Sequence, residues 1–202
     1  MQALKDRICA NLAAHHRLEI DPTGHRRAAV AVLLSPLEDG RPSFALTRRA
    51  MTMRRGAGNF ALPGGNFEPG DDPVAAALRE THEELGVEVG REAALGLLDD
   101  FLTLGGHHVT PVVLWTDAVL TLDPDPQEVH IAWRLPLSDL EHPQAPRAEP
   151  HPHGGEPILR MFAGGNWVNP PTAAWLYQFR EVALHGRSVR VDKVGQPLWT
   201  AR

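Results

Sequence analysis

Residues 65–87 read GNFEPGDDPVAAALRETHEELGV, and the second half of the stretch has the marks of a helix. Asp72 is placed as an N-cap, and Pro73 fits the first helical position, where its missing N–H costs nothing. Ala75, Ala76 and Ala77 favour helix, and Gly86 is placed to end it. Val74, Ala77, Leu78, Thr81 and Leu85 recur at helical period and form a stripe fit to face a core. Glu80, Glu83 and Glu84 stand at i, i+3 and i+4, so the helix gathers three carboxylates on one side. Like charges that close are unfavourable without a cation, and oxygen-only donors suit Mg²⁺ or Mn²⁺, hard ions that also grip phosphate. Arg79, four residues before Glu83, is placed to orient one carboxylate without neutralising the set. The competing reading is an acidic surface helix with ordinary Arg–Glu pairs.

What precedes the helix favours the first reading. Pro63-Gly64-Gly65 and Glu68-Pro69-Gly70 make a loop–turn–helix unit, in which backbone carbonyls at Gly64 and Gly65 add a further metal ligand. The spacing Gly65, Arg79-Glu80, Glu83-Glu84, Gly86 and Val87 resembles the signature of Nudix hydrolases. That signature runs Gly, five residues, Glu, seven residues, Arg-Glu, an apolar residue, any residue, Glu-Glu, any residue, Gly and an apolar residue. Asp71 stands where the signature has its first Glu, and Thr81 where it has an apolar residue.

The resemblance implies an α/β fold, a Nudix-type α/β/α sandwich with a mixed β-sheet. It implies a diphosphate hydrolase in which Glu80, Glu83, Glu84, Gly64 and Gly65 hold Mg²⁺ or Mn²⁺. Arg79 then orients the carboxylates, and Glu83 or Glu128 accepts the proton of the attacking water. Glu128 enters because such enzymes often recruit a carboxylate downstream of the signature.

Residues 46–65, LTRRAMTMRRGAGNFALPGG, are similar to the stretch that coenzyme A pyrophosphatases of this family carry before the signature. Leu46, Thr47, Arg49, Arg54, Gly58, Pro63, Gly64 and Gly65 match, while Gly56, Asn59 and Leu62 depart. A planar guanidinium suits the 3′-phosphate of CoA. The resemblance therefore implies Arg49 and Arg54 as substrate-binding residues, and products 3′,5′-ADP and (acyl-)4′-phosphopantetheine. Two alternatives stay open. One is another nucleoside diphosphate-linked substrate, such as ADP-ribose, a dinucleoside polyphosphate or a nucleoside triphosphate; the other is a non-catalytic ligand-binding module.

Composition bounds the rest. The 202 residues suffice for one domain, with a core over about 27–140 and helical or strand elaborations at both ends. A net charge of −5 argues against general nucleic-acid binding. The lone Cys9 and the absence of a signal sequence predict a cytoplasmic protein, and no apolar run approaches membrane-crossing length.

Strands are predicted over 27–35, 43–48, 93–99, 109–118, 129–135 and 189–199, and helices over 4–16 and from Asn169-Pro170-Pro171-Thr172 to about Leu184. The Pro/His/Gly-rich stretch 141–157 reads as a loop and a candidate substrate flap. His151 and His153 are weak metal candidates, and His107 and His108 read as structural. Trp167, Trp175, Tyr177 and Phe179 read as core or interface anchors, and an exposed apolar face on their helix would imply a homodimer.

Overall fold

The computed structural model describes residues 1–53 and 56–201, and of Ala201 the backbone only. The sheet is organised around β1 (Arg26–Pro36), whose run AAVAVLL is buried on both faces. A strand with both faces covered needs no alternation of polar and apolar residues. It lies antiparallel to β2 (Pro42–Arg49) and parallel to β7 (His107–Trp115), with Val30 opposite Pro111 and Leu34 opposite Trp115. The sheet is therefore mixed. Beyond β2 lie β3 (Phe60–Ala61) and β8 (Val129–Pro136), and beyond β7 lies β5 (Ala94–Leu97). Two short strands complete it: β4 (Gly64–Asn66) pairs with β1, and β6 (Phe101–Leu102) with β7.

The two faces of β1 differ in size as well as direction. Ala29, Ala31 and Leu33 pack with Ala76, Ala77 and Leu85 of α2 (Pro73–Leu85). Val30, Val32 and Leu34 share the opposite cluster with Ile8 and Leu12 of α1 (Gln2–Ala14) and with Trp175 and Leu176 of α3 (Thr172–Gln178). Period-two side-chain alternation thus yields the α/β/α sandwich. Alanines on the α2 side let that helix lie close to the sheet.

The capping signals around α2 act as read. Asp72 accepts a hydrogen bond from Ala75 N at 2.8 Å, Pro73 opens the helix, and Gly86 closes it in the left-handed region with φ 66°. α3 continues through wider π-type turns to Leu184, where the His185 N–H reaches Arg180 O. Its aromatic and aliphatic residues, Trp175, Leu176 and Phe179 among them, are buried inside the chain. The condition attached to a homodimer, an exposed apolar face on this helix, is not met.

Two assignments need correction. Residues 189–199 do not form a strand; they make one bridge, Ile158 with Gly195, and then a short helical turn over Leu198–Ala201. Pro197 has no N–H to give to a ladder. Gln196 instead lends its side chain, donating to Leu102 O and accepting from Leu104 N, both at 3.0 Å. The stretch 141–157 is not all loop. It carries β9 (Arg147–Glu149), antiparallel to β10 (Ile158–Ala163), which pairs onward with β11 (Asn166–Val168). β9 and β11, three residues each, are too short to announce themselves by alternation.

A buried acidic pair fastens α1 and the chain after it to the sheet. Asp99, fully buried, accepts from His15 Nε2, Leu18 N and Arg190 Nη1, each at 2.8 Å. Asp100 beside it accepts from Ile20 N at 3.0 Å and Thr110 Oγ1 at 2.6 Å, and pairs with Arg17. His108 stands 3.2 Å from Asp100 and 2.9 Å from Ile20 O, so its role is structural, as read.

Candidate active site

The signature glutamates meet the glycine turn where β4 runs beside α2. Glu80 and Glu84 are buried, with 8% and 3% of their surfaces exposed, although both are carboxylic acids. A Cβ on Gly65 would collide with the Glu80 carboxylate, so any larger residue there would push that acid aside. A Cβ on Gly64 would strike Ala29 O of β1. The turn and the acids therefore approach at a distance only bare backbone permits.

Arg79 organises the group. Its Nη1 donates to Glu80 Oε1 at 2.7 Å and to Glu83 Oε2 at 2.9 Å, while Nη2 donates to Asn66 O at 2.7 Å and to Asp71 Oδ2 at 3.2 Å. Asp71 thus reaches Arg79 despite being one methylene shorter than the residue the signature calls for. Burial works against the Arg79 charge, but the Glu80 and Asp71 carboxylates reverse this and hold the guanidinium more firmly protonated than usual.

The acids are less well compensated. Burial pushes the Glu84 carboxyl up to about 8; Arg49 opposes the rise, and the charges of Glu80 and Glu128 add to it. The nearest approach of Arg49, Nη1 to Glu84 Oε1, is 4.0 Å, too long for a hydrogen bond. Burial likewise raises Glu80, against the pull of Arg79. Two buried carboxylates with a third nearby, short of positive charge and offering only hard oxygen donors, fit a divalent cation of the Mg²⁺ or Mn²⁺ kind.

Glu83 departs from the other two. Its side chain is 53% exposed and bound to Arg79. Among the described residues no three His, Cys, Asp or Glu side chains converge as a ready-made metal cage. Glu128 follows a turn in which its N–H bonds Asp125 O at 3.1 Å and its carbonyl accepts from Ala50 N at 2.8 Å. That turn is tied to α2 by Asp125 N to Glu84 O at 3.1 Å. Arg54 lies outside the described residues. The rings of His151 and His153 lie 5.9 Å apart and tilted, and His151 bonds Gln196 O at 3.2 Å; neither belongs to a metal-binding cluster among the described residues.

A cleft of about 450 Å³ opens beside the glycine turn. Arg49, Gly64, Gly65, Phe60 and Leu62 are among the residues that line it. Residues 141–157 do not line it among the described residues; its far wall comes from Trp167, Asn169, Trp175 and Trp199. Among the described residues the cleft is thus lined by segments that follow the loop expected as a flap. Thr172 Oγ1 donates to Phe60 O at 3.0 Å and joins this wall to the strand that leads into the glycine turn.

Residues 24–155 match the family model described as NUDIX domain, about two thirds of the chain. The chain belongs to the Nudix family. Among curated relatives, "Uncharacterized Nudix hydrolase NudL" of Photorhabdus laumondii is 39% identical over 110 residues, 54% of this chain and 59% of that protein. A protein of the same name from Shigella flexneri is 34% identical over 123 residues, 60% of this chain and 63% of its own length. The matches thus span less than two thirds of each relative. A Nudix hydrolase from Alicyclobacillus acidocaldarius shares the fold, with a TM-score of 0.54 at 19% identity over 83% of this chain and 95% of that one. A MutT/nudix family protein from Enterococcus faecalis superposes with a TM-score of 0.52 at 15% identity, over 74% of this chain and 52% of that one. Among the described residues no helix is long and apolar enough to cross a membrane.

Proposed function

We propose that this Nudix protein hydrolyses a diphosphate linkage in a small nucleoside diphosphate-linked molecule with the help of Mg²⁺ or Mn²⁺. The observation that carries the reading is the buried, under-compensated pair Glu80 and Glu84 against the Gly64–Gly65 turn, which lines a ligand-sized cleft. When bound there, the cation would supply charge neutralisation on the phosphate oxygens and activation of water.

The protein's own groups then divide the work. Glu80 and Glu84 hold the cation, with the glycine backbone beside them, and Arg79 fixes Glu80 and Glu83 in orientation. Arg49, next to Glu84, is assigned to the substrate phosphates closest to the acids. Glu128, whose charge acts on both Glu80 and Glu84, is assigned the role of proton acceptor for the attacking water.

The similarity of residues 46–65 to coenzyme A pyrophosphatases supports CoA or an acyl-CoA as the substrate. The test is product analysis by mass spectrometry with Mg²⁺, Mn²⁺ and a chelator control, over CoA, acyl-CoA, ADP-ribose, diadenosine polyphosphates and nucleoside triphosphates. Metal-dependent release of 3′,5′-ADP from CoA is the expected result. Cleavage of another member keeps the chemistry and discards CoA. No cleavage of any member under any metal overturns the hydrolase reading.

A further inference from the structure

Three tryptophans line the cleft, and the fold covers two of them. Trp175 is 5% exposed, with Phe101 set edge-on against it at 5.9 Å between ring centroids. Trp167 is partly buried, its ring met by Phe162 at 5.4 Å and by the Arg147 guanidinium at 5.7 Å. Trp199 keeps 46% of its surface exposed, belongs to neither core cluster, and meets no other ring and no cation among the described residues. A lone exposed aromatic on an outer surface needs no explanation; one that lines a ligand-sized cleft does. The backbone that carries it is held in place. Gln196 clasps Leu102 O and Leu104 N through its side chain, and its carbonyl accepts from His151. The Gly195 N–H bonds Pro157 O at 2.9 Å, and the Thr200 N–H closes the last turn on Pro197 O at 2.9 Å. Arg49 is the only Asp, Glu, Lys or Arg among the described lining residues, so away from it the cleft suits an uncharged part of a ligand.

We infer that Trp199 is a specificity residue, an indole held at the cleft by the C-terminal turn to stack on the nucleobase of the substrate. A base is the occupant because it is the planar, uncharged part of a nucleoside diphosphate-linked molecule, and a flat π-face on an indole gains more than a flexible chain does. The inference rests on the proposed diphosphate chemistry only in naming the molecule to which the base belongs. Trp199 lies outside residues 24–155, so the subsite belongs to this chain's C-terminal part and not to the matched family segment.

The test is binding, read without turnover. The full chain in chelator is titrated by calorimetry with adenosine 5′-monophosphate, with ribose 5-phosphate and with 4′-phosphopantetheine. The wild type should bind adenosine 5′-monophosphate saturably and ribose 5-phosphate about tenfold more weakly. Trp199→Ala should weaken adenosine 5′-monophosphate about tenfold, and Trp199→Phe, which keeps an aromatic face, should recover most of that loss. Tryptophan fluorescence supplies a second readout: quenching by the nucleotide should be smaller in Trp199→Phe than in the wild type. Because Trp199 packs into neither core cluster, both variants should keep the melting temperature, which separates recognition from folding. Unchanged affinity in Trp199→Ala, no saturable binding by the wild type, or dependence on Trp199 for 4′-phosphopantetheine alone overturns the base subsite. So does a wild-type dimer that Trp199→Ala dissociates while nucleotide affinity holds. Diphosphate hydrolysis alongside any of these would sink the subsite alone, whereas Trp199-dependent base binding in a protein that cleaves nothing would sink only the hydrolase reading.

Discussion

The molecule buries two pairs of acids, and they are treated in opposite ways. Asp99 and Asp100 are met on every side by Arg17, Arg190, His15, Thr110 and two backbone N–H groups. Burial alone would raise the Asp99 carboxyl, but the hydrogen bonds from Leu18 N, Arg190 and His15 outweigh it and hold the group below its ordinary value. Glu80 and Glu84 receive less, and both carboxyls are raised. A fully satisfied pair fastens structure; a deficient pair is, on the proposed reading, where a cation would bind. The difference separates a brace from the proposed reaction site without reference to the family.

The largest expected effect is on the brace. Asp99→Asn removes a charge on which Arg190 and His15 converge and should cost about 3–5 kcal/mol of folding free energy, read from the midpoint of a urea titration. An unmoved midpoint would erase the contrast. At the other pair, Glu84→Gln should lower metal-dependent turnover by at least ~100-fold, as loss of a charged metal ligand does, while the urea midpoint holds or rises. Near-normal turnover by this variant would remove Glu84 from the metal site.

Acid and base should pull the two pairs apart. A carboxylate held low stabilises the fold above its ordinary pKa near ~3.9, and that stability is lost as pH falls through the folded value. Asp99 gives this acid-side loss. A carboxyl held high does the reverse: its contribution is complete below the ordinary value and disappears as pH rises through the folded one. For Glu84 without metal, that decline runs up to about 8. Melting temperatures in chelator should therefore fall at both ends of the range. Glu84→Gln should flatten the alkaline side only, and Asp99→Asn the acid side only.

The smallest effect sharpens the view of α2. Thr81 is buried and its hydroxyl has no partner among the described residues, at a position where the signature calls for an apolar side chain. Thr81→Val should raise stability by about 1 kcal/mol without changing turnover, measured by parallel denaturation and product assays.

Much of this was legible in the chain because it is local. The cap at Asp72, the stop at Gly86 and the glutamate spacing all lie within one helix, and the buried run 28–34 declares a central strand. The remainder depends on distance. Thr172 meets Phe60 across 112 positions, and no periodicity marks Trp167, Asn169 and Trp175 as a cleft wall. Residues 189–199 misled because their apolar residues suit a strand, while Pro197 and the Gln196 side chain redirect the backbone. Asp71 shows the converse: a shorter acid than the signature asks for still reaches Arg79, because the Glu68–Asp71 turn carries it there.

At Gly64 the β1 backbone, and at Gly65 the Glu80 carboxylate, rests against bare backbone, so every amino-acid exchange at those two positions inserts atoms between the partners. The far wall of the cleft is made of side chains, which mutation can trade one at a time. On the proposed reading, exchanges in that wall would alter what is accepted while the way it is cleaved stays fixed.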